Sequence, residues 1–211
     1  MIRFLALGDS YTIGEGVAEE HRWPVQLSAS LRTHGLRIAE PEVIAKTGWT
    51  TDELSDAIEK AKPTGDYGLV SLLIGVNNQY RGRSEEEYRS QFRSLLARAV
   101  VFAGNDAGRV IVISIPDWGV TPFAEGRDRQ QISREIDRFN QINRDETSRS
   151  GARYVDITPG SRAAGTDPAL IAGDGLHPSG KMYTSWARQA LPTAMAALGA
   201  SGGASPTRVT Q

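Results

Sequence analysis

Short apolar runs, too brief to form helices, divide the chain at regular intervals. Residues 2–7, 67–74 and 109–115 are rich in Ile, Val and Leu, and each stops abruptly at Gly8-Asp9, Gly75 or Pro116-Asp117. Runs of this length ended by turn residues read as buried strands. In the third, Val110 to Ile113 are apolar at every position, as the centre of a parallel sheet requires. Residues 42–45 and 153–157 are shorter runs of the same kind.

Helical spacing fills the intervals. Val25, Leu27, Ala29 and Leu31 follow Pro24, and the element closes at His34-Gly35. Leu54, Ala57, Ile58 and Ala61 follow the candidate cap Thr50-Thr51. Tyr88, Phe92, Leu95, Leu96, Ala99 and Val100 follow a capping-box pattern at Ser84-Glu85-Glu86-Glu87. Ile132, Ile136 and Phe139 mark a helix reaching Ser150, and residues 182–198 form the last. Residues 11–16 and 158–180 read as loops. Five strands alternating with helices predict a parallel sheet covered on both faces. The 211 residues suit one such domain, expected over residues 1–198. The Gly-, Ser- and Thr-rich residues 199–211 are expected to be a disordered tail.

Charge and composition remove several function classes. Formal net charge is -1, and arginines alternate with acidic residues, as between Arg81 and Arg93. A nucleic-acid partner is therefore not expected, since such proteins carry a basic face. The absence of cysteine excludes disulfides, thiolate catalysis and cysteine-based metal sites. No stretch approaches the roughly 18 apolar residues of a membrane helix, and the first apolar run is too short for a signal-peptide core. The expectation is a soluble, cytoplasmic protein without a membrane partner.

Chemistry-bearing residues fall just after the expected strands. Ser10 follows the first, Gly48 the second and Asn77 the third, and the long late loop carries Asp174-Gly175-Leu176-His177. Open parallel sheets bind ligands outside the carboxyl ends of their strands, so these residues are expected at one edge. A serine nucleophile needs a base, a group to orient it and an oxyanion hole. His177 is the candidate base, and Asp174, three residues earlier, the group that fixes its tautomer. The amides of Ser10 and Gly48 and the side chain of Asn77 are candidate oxyanion donors. Taken singly, each has a plainer reading. Ser10 and Asn77 suit turns or caps, and Asp9 suits a loop residue bonding nearby amides. As a metal pair, Asp174 and His177 lack further ligands, because His21 and His34 belong to the first helical unit.

Gly8-Asp9-Ser10-Tyr11, Gly48, Gly75-Val76-Asn77-Asn78 and Asp174-Gly175-Leu176-His177 together resemble, in order and spacing, the four blocks of the SGNH hydrolases, or GDSL-type esterases and lipases. The resemblance spans roughly residues 2–198. It implies a three-layer α/β/α, flavodoxin-like fold with a five-stranded parallel sheet. It also implies a Ser10–His177–Asp174 triad, an oxyanion hole from Ser10, Gly48 and Asn77, and no metal or organic cofactor. Two positions depart from the family pattern: Tyr11 stands where Leu is usual, and Asn78 where Asp is usual.

The expected activity is hydrolysis of small or short-chain esters. Lysophospholipids, thioesters, O-acetylated sugars and acyl transfer are other uses of the same machinery. Trp49, Asn78 and Trp118 are the expected substrate-binding residues, with Tyr80 and Phe123 as further aromatic candidates near strand ends. Arg81 and Arg83 read as solvated loop residues. A rival of another class is a non-catalytic ligand-binding domain, although the loop after the first strand lacks the G-x-x-x-x-G-K-[ST] phosphate pattern.

Overall fold

The structure, a computed structural model, describes residues 1–199. Apart from Gly199, the expected tail lies outside the described residues. Strands β1 (Phe4–Gly8), β2 (Glu42–Ala45), β3 (Leu69–Leu73), β4 (Val110–Ile113) and β5 (Arg153–Val155) form one parallel sheet in the order β2-β1-β3-β4-β5. Every residue of β1, β3 and β4 is buried, whereas edge strands β2 and β5 are partly open. That gradient explains why the central runs are continuously apolar and the outer ones are not.

Helices cover both faces. On one, α2 (Trp23–Thr33) packs against α8 (Gly180–Ala197); on the other, α5 (Glu85–Phe102) packs against α3 (Thr51–Ala61) and α6 (Arg129–Ser150). Trp23, Leu27, Leu31, Tyr183 and Trp186 fill the first layer, and Leu54, Ile58, Tyr88, Phe92 and Ile136 the second. The expected α/β/α fold with a five-stranded parallel sheet is thus the observed one. Among the described residues, no helix is long and apolar enough to cross a membrane.

Four differences from the sequence expectations bear on the site. Residues 11–16 are not all loop, because α1 (Ser10–Ile13) forms there, closed by Gly14. Likewise α4 (Val76–Tyr80) follows β3, and α7 (Thr158–Ser161) lies in the expected long loop. Helices of four or five residues complete too few turns to leave a periodic apolar pattern. The β4 run also leaves the ladder before residue 115. Asn140 on α6 replaces the missing strand partner there, accepting from the Ile115 amide at 2.8 Å and donating to its carbonyl at 2.9 Å.

Asp9 starts α1 as its N-cap, so Ser10 is the first helical residue. Its Oδ1 accepts from the Tyr11 amide at 3.0 Å. The carboxyl is fully buried, and Oδ2 has no hydrogen-bond partner among the described residues. Burial pushes its pKa up from 3.8 to about 7, with the Tyr11 amide opposing the shift.

The folded state therefore holds this proton more tightly than the unfolded chain does. The stabilisation linked to that proton is fully present below the unfolded pKa and is lost as pH rises through about 7. Asp9→Asn keeps the acceptor for Tyr11 and removes the titration. In urea unfolding, the variant's stability relative to the native chain should rise between pH 4 and pH 7.5, by up to about 4 kcal/mol. A pH-independent difference would show that Asp9 ionises normally.

Candidate active site

The strand order reverses at β1: the chain passes outward to β2, then crosses to β3 on the other side. That reversal opens a crevice at the carboxyl ends of β1 and β3. Gly8 at the end of β1 pairs in register with Ala45 on β2 and Leu73 on β3. The segments carrying Ser10, Gly48 and Asn77 consequently leave the sheet at the same level.

Gly75 shapes the exit from β3. Its φ is +128°, and a Cβ there would lie 2.3 Å from the Tyr88 hydroxyl. Tyr88 is buried against Phe92 and Phe139, with its hydroxyl 2.9 Å from Ile74 O and 2.6 Å from Asn143 Oδ1. Only glycine meets both the backbone angle and this close packing. The chain then starts α4, which presents Asn77 to the crevice. Asn77 Nδ2 donates to Trp49 O at 2.9 Å, and its amide retains a second N–H.

Residues 46–49 form a turn after β2. Trp49 N–H bonds Lys46 O at 3.3 Å, and Gly48 has φ +86°. Positive φ at the third position of a turn is glycine's territory. Thr47 Oγ1 donates to Glu15 in the loop beyond α1, and Arg81 Nη2 donates to Gly48 O at 2.6 Å.

Asp174 and His177 share one turn. Asp174 Oδ1 accepts from the amides of Leu176 and His177, each at 2.9 Å, and Oδ2 lies 2.6 Å from His177 Nδ1. Partial burial is the largest influence on this carboxyl and raises its pKa. The imidazole and the two amides outweigh it and hold the pKa below the usual value. An ionised carboxylate only accepts, so Nδ1 carries the hydrogen and Nε2 of the neutral ring is left as a base. His177 is itself buried, and the edge of Tyr11 rests against its ring at a centroid distance of 5.7 Å.

These elements converge on one cleft of about 160 Å³, lined by Ser10, Gly48, Asn77 and His177 together with an apolar wall that includes Val76, Tyr80, Trp118, Phe123 and Leu176. Trp118 is locked by its Nε1, which donates to Gln79 Oε1 at 2.8 Å. Tyr80 and Phe123 stand 45% and 42% exposed at the rim. A hydroxyl, an imidazole held by a carboxylate, and donors from two further strand ends thus face a common space. That arrangement can activate a nucleophile and stabilise a developing oxyanion.

Two expected substrate-binding residues lie elsewhere. Asn78 is fully buried, accepting from Thr51 N at 3.1 Å and donating to Thr51 Oγ1 at 2.7 Å. Its amide ties α4 to α3 and does not line the cleft; unlike an aspartate, it does so without burying a charge. Trp49 is half-buried against the core and contributes its carbonyl to Asn77, while its side chain is not among the cleft-lining groups. Trp118 does line the cleft. The sequence gives no sign of Gln79 as the partner of Trp118, of Tyr11 as a support for His177, or of Arg81 as the partner of Gly48. Gln79 and Arg81 act across gaps of 39 and 33 residues, and Tyr11 meets His177 across most of the chain.

Residues 6–184 match the GDSL-like Lipase/Acylhydrolase family. Among solved structures, the chain resembles a member of the lipolytic protein G-D-S-L family from Veillonella parvula DSM 2008. Identity is 16%, TM-score 0.70, and 91% of this chain and 97% of that one are covered. It also resembles Axe2, an acetylxylan esterase from Geobacillus stearothermophilus, with 19% identity, TM-score 0.69, and coverage of 92% and 94%. A third likeness is the psychrotrophic esterase EstA from Pseudoalteromonas sp., with 16% identity, TM-score 0.66, and coverage of 92% and 96%. A comparison with curated proteins gives no match. At these identities the structural likenesses establish the fold, and the match over residues 6–184 establishes membership: the chain belongs to the GDSL-like lipase/acylhydrolase family and is a serine hydrolase of that type.

Proposed function

We propose that the protein is a serine esterase acting on small or short-chain carboxylic esters, with Ser10 as nucleophile, His177 as general base and acid, and Asp174 as its orienting partner. The observation that carries this reading is the single cleft shared by Ser10, Gly48, Asn77 and His177, with His177 bonded to Asp174 at 2.6 Å. Ser10 Oγ attacks the ester carbonyl carbon as its proton passes to His177 Nε2. The carbonyl oxygen becomes an oxyanion facing the amides of Ser10 and Gly48 and the free N–H of Asn77. Collapse breaks the bond to the alkoxy oxygen, which takes the proton from His177 and leaves as the alcohol. Water then gives a proton to His177 and attacks the acyl-enzyme. The second tetrahedral intermediate releases the acid, and Ser10 regains its proton.

The apolar wall of Val76, Trp118 and Leu176 suits the hydrocarbon part of an ester. The exposed rim at Tyr80 and Phe123 leaves the cleft open to water, which favours hydrolysis over acyl transfer. A cleft of about 160 Å³ holds a short acyl group more readily than a long one.

On p-nitrophenyl acetate, butyrate and octanoate, kcat/KM should be highest for the two shorter esters. Ser10→Ala should abolish turnover of all three; turnover that persists would remove Ser10 from the mechanism. Asp174→Asn loses the acceptor that fixes the imidazole tautomer, so kcat should fall by about three to four orders of magnitude. A loss below about tenfold would mean that another group orients His177.

A further inference from the structure

The Gly48 turn is gripped by three side chains from two other segments, the loop after α1 and α4 with its C-cap. Glu15 holds Thr47, Asn77 holds the Trp49 carbonyl, and Arg81 holds the Gly48 carbonyl at 2.6 Å. The same guanidinium reaches Glu53 Oε2 at 3.2 Å. Glu53 accepts in turn from the amide and hydroxyl of Thr50, both at 2.9 Å, completing the capping box of α3. Arg81 therefore links the end of α4, the Gly48 turn and the start of α3.

The hydrogen-bond donor at issue, Gly48 N–H, lies in the central peptide of the 46–49 turn. With the third residue at positive φ, that peptide is flipped by about 180° relative to the commoner type I turn. The direction of the N–H thus depends on which of two turn forms the chain adopts, and glycine restricts neither strongly. The next peptide is a rigid plane. Holding its oxygen removes ψ of Gly48 as a freedom, so the preceding N–H can turn only through φ of Gly48 and ψ of Thr47.

We propose that Arg81 is a positioning residue for the oxyanion hole: by holding Gly48 O against the Glu53-capped start of α3, it keeps the Gly48 N–H aimed into the cleft. The inference rests on the assignment of Gly48 as an oxyanion donor. Arg81 does not line the cleft and does not touch substrate. A purely stabilising role is a poor account of it, because the Arg81 and Glu53 side chains are 41% and 42% exposed and exposed ion pairs contribute little to stability.

The test compares the native chain with Arg81→Ala, Arg81→Lys, Arg83→Ala and Ser10→Ala on p-nitrophenyl butyrate. Deleting an oxyanion donor outright costs about 10²- to 10³-fold in kcat. Arg81→Ala leaves the donor present but loosely aimed, so kcat should fall by about 10- to 100-fold, with KM within about threefold. Guanidinium chloride at tens of millimolar should restore part of the rate, and Arg81→Lys should lie between the two. Affinity for an alkyl boronic acid, which forms a tetrahedral adduct, should weaken by the same factor as kcat/KM. Arg83 meets Glu87 and Asp52, so Arg83→Ala should match the native rate. The melting temperature should be unchanged across the series.

Unchanged kcat in Arg81→Ala, a change in KM alone, or a loss of rate without rescue and with a matching loss of melting temperature would each overturn the role of Arg81. Ser10→Ala that remains active would instead overturn the underlying site assignment, and the inference with it.

Discussion

The site depends on register. In a parallel sheet, adjacent strands run the same way and their carboxyl ends can be brought level, but only if the pairing is correct to the residue. Gly8 opposite Ala45 and Leu73 is the pairing that sets Ser10, Gly48 and Asn77 two, three and four residues beyond a common line. A slip of one residue would exchange the two buried faces of β1, setting each side chain against the opposite helix layer. It would also carry Ser10 away from the Gly48 turn. The fully apolar β1 and β3, buried at every position, therefore position the chemistry as well as forming the core.

Beyond the sheet ends, the carboxylates around the site are divided by environment. Asp9 is fully buried with one oxygen unpartnered, and desolvation raises its pKa to about 7. Asp174 receives three hydrogen bonds, and its pKa is held below the usual value. The two outcomes follow from the balance between burial and donors to the charged form. In the proposed mechanism, one carboxylate remains negative beside an imidazole that gains positive charge. The other, adjacent in sequence to the proposed nucleophile Ser10, resists carrying a charge near the proposed oxyanion hole. Tyr11 connects them physically: its amide bonds Asp9, and its ring meets His177.

The parts of this arrangement that were legible in the sequence are those encoded locally. The five runs of strand-forming residues and the Asp174-x-x-His177 spacing each lie within a few residues. The short helices α1, α4 and α7 leave no such mark, because four or five residues cannot display a 3.6-residue period. Trp49 and Trp118 could not be told apart by type or by position after a strand. What separates them is a tertiary bond, from Trp118 to Gln79, that directs one ring into the cleft wall. Asn78 shows the same limit. Its neighbour Asn77 has the same side chain, yet the turn of α4 sends one amide to Trp49 at the cleft edge and the other into the interior, against Thr51.

The cleft is the place where the fold departs from ordinary burial. Tyr80 and Phe123 are large apolar side chains left partly in water while most others of their size are buried, and clustered exposed aromatics of this kind mark binding surfaces. Its members are also not loose. Tyr80, Trp118 and Phe123 lie 5.5 to 6.2 Å apart, centroid to centroid. The Arg127 guanidinium sits 5.2 to 5.5 Å from all three rings and donates to the Tyr80 hydroxyl at 3.1 Å. A cation over several aromatic faces stiffens the rim without covering it. Rigid apolar walls lose little conformational entropy when a ligand arrives. The rim therefore combines two properties that usually conflict and that the proposed hydrolysis needs, being ordered enough to position an acyl or alkoxy group and open enough to admit water.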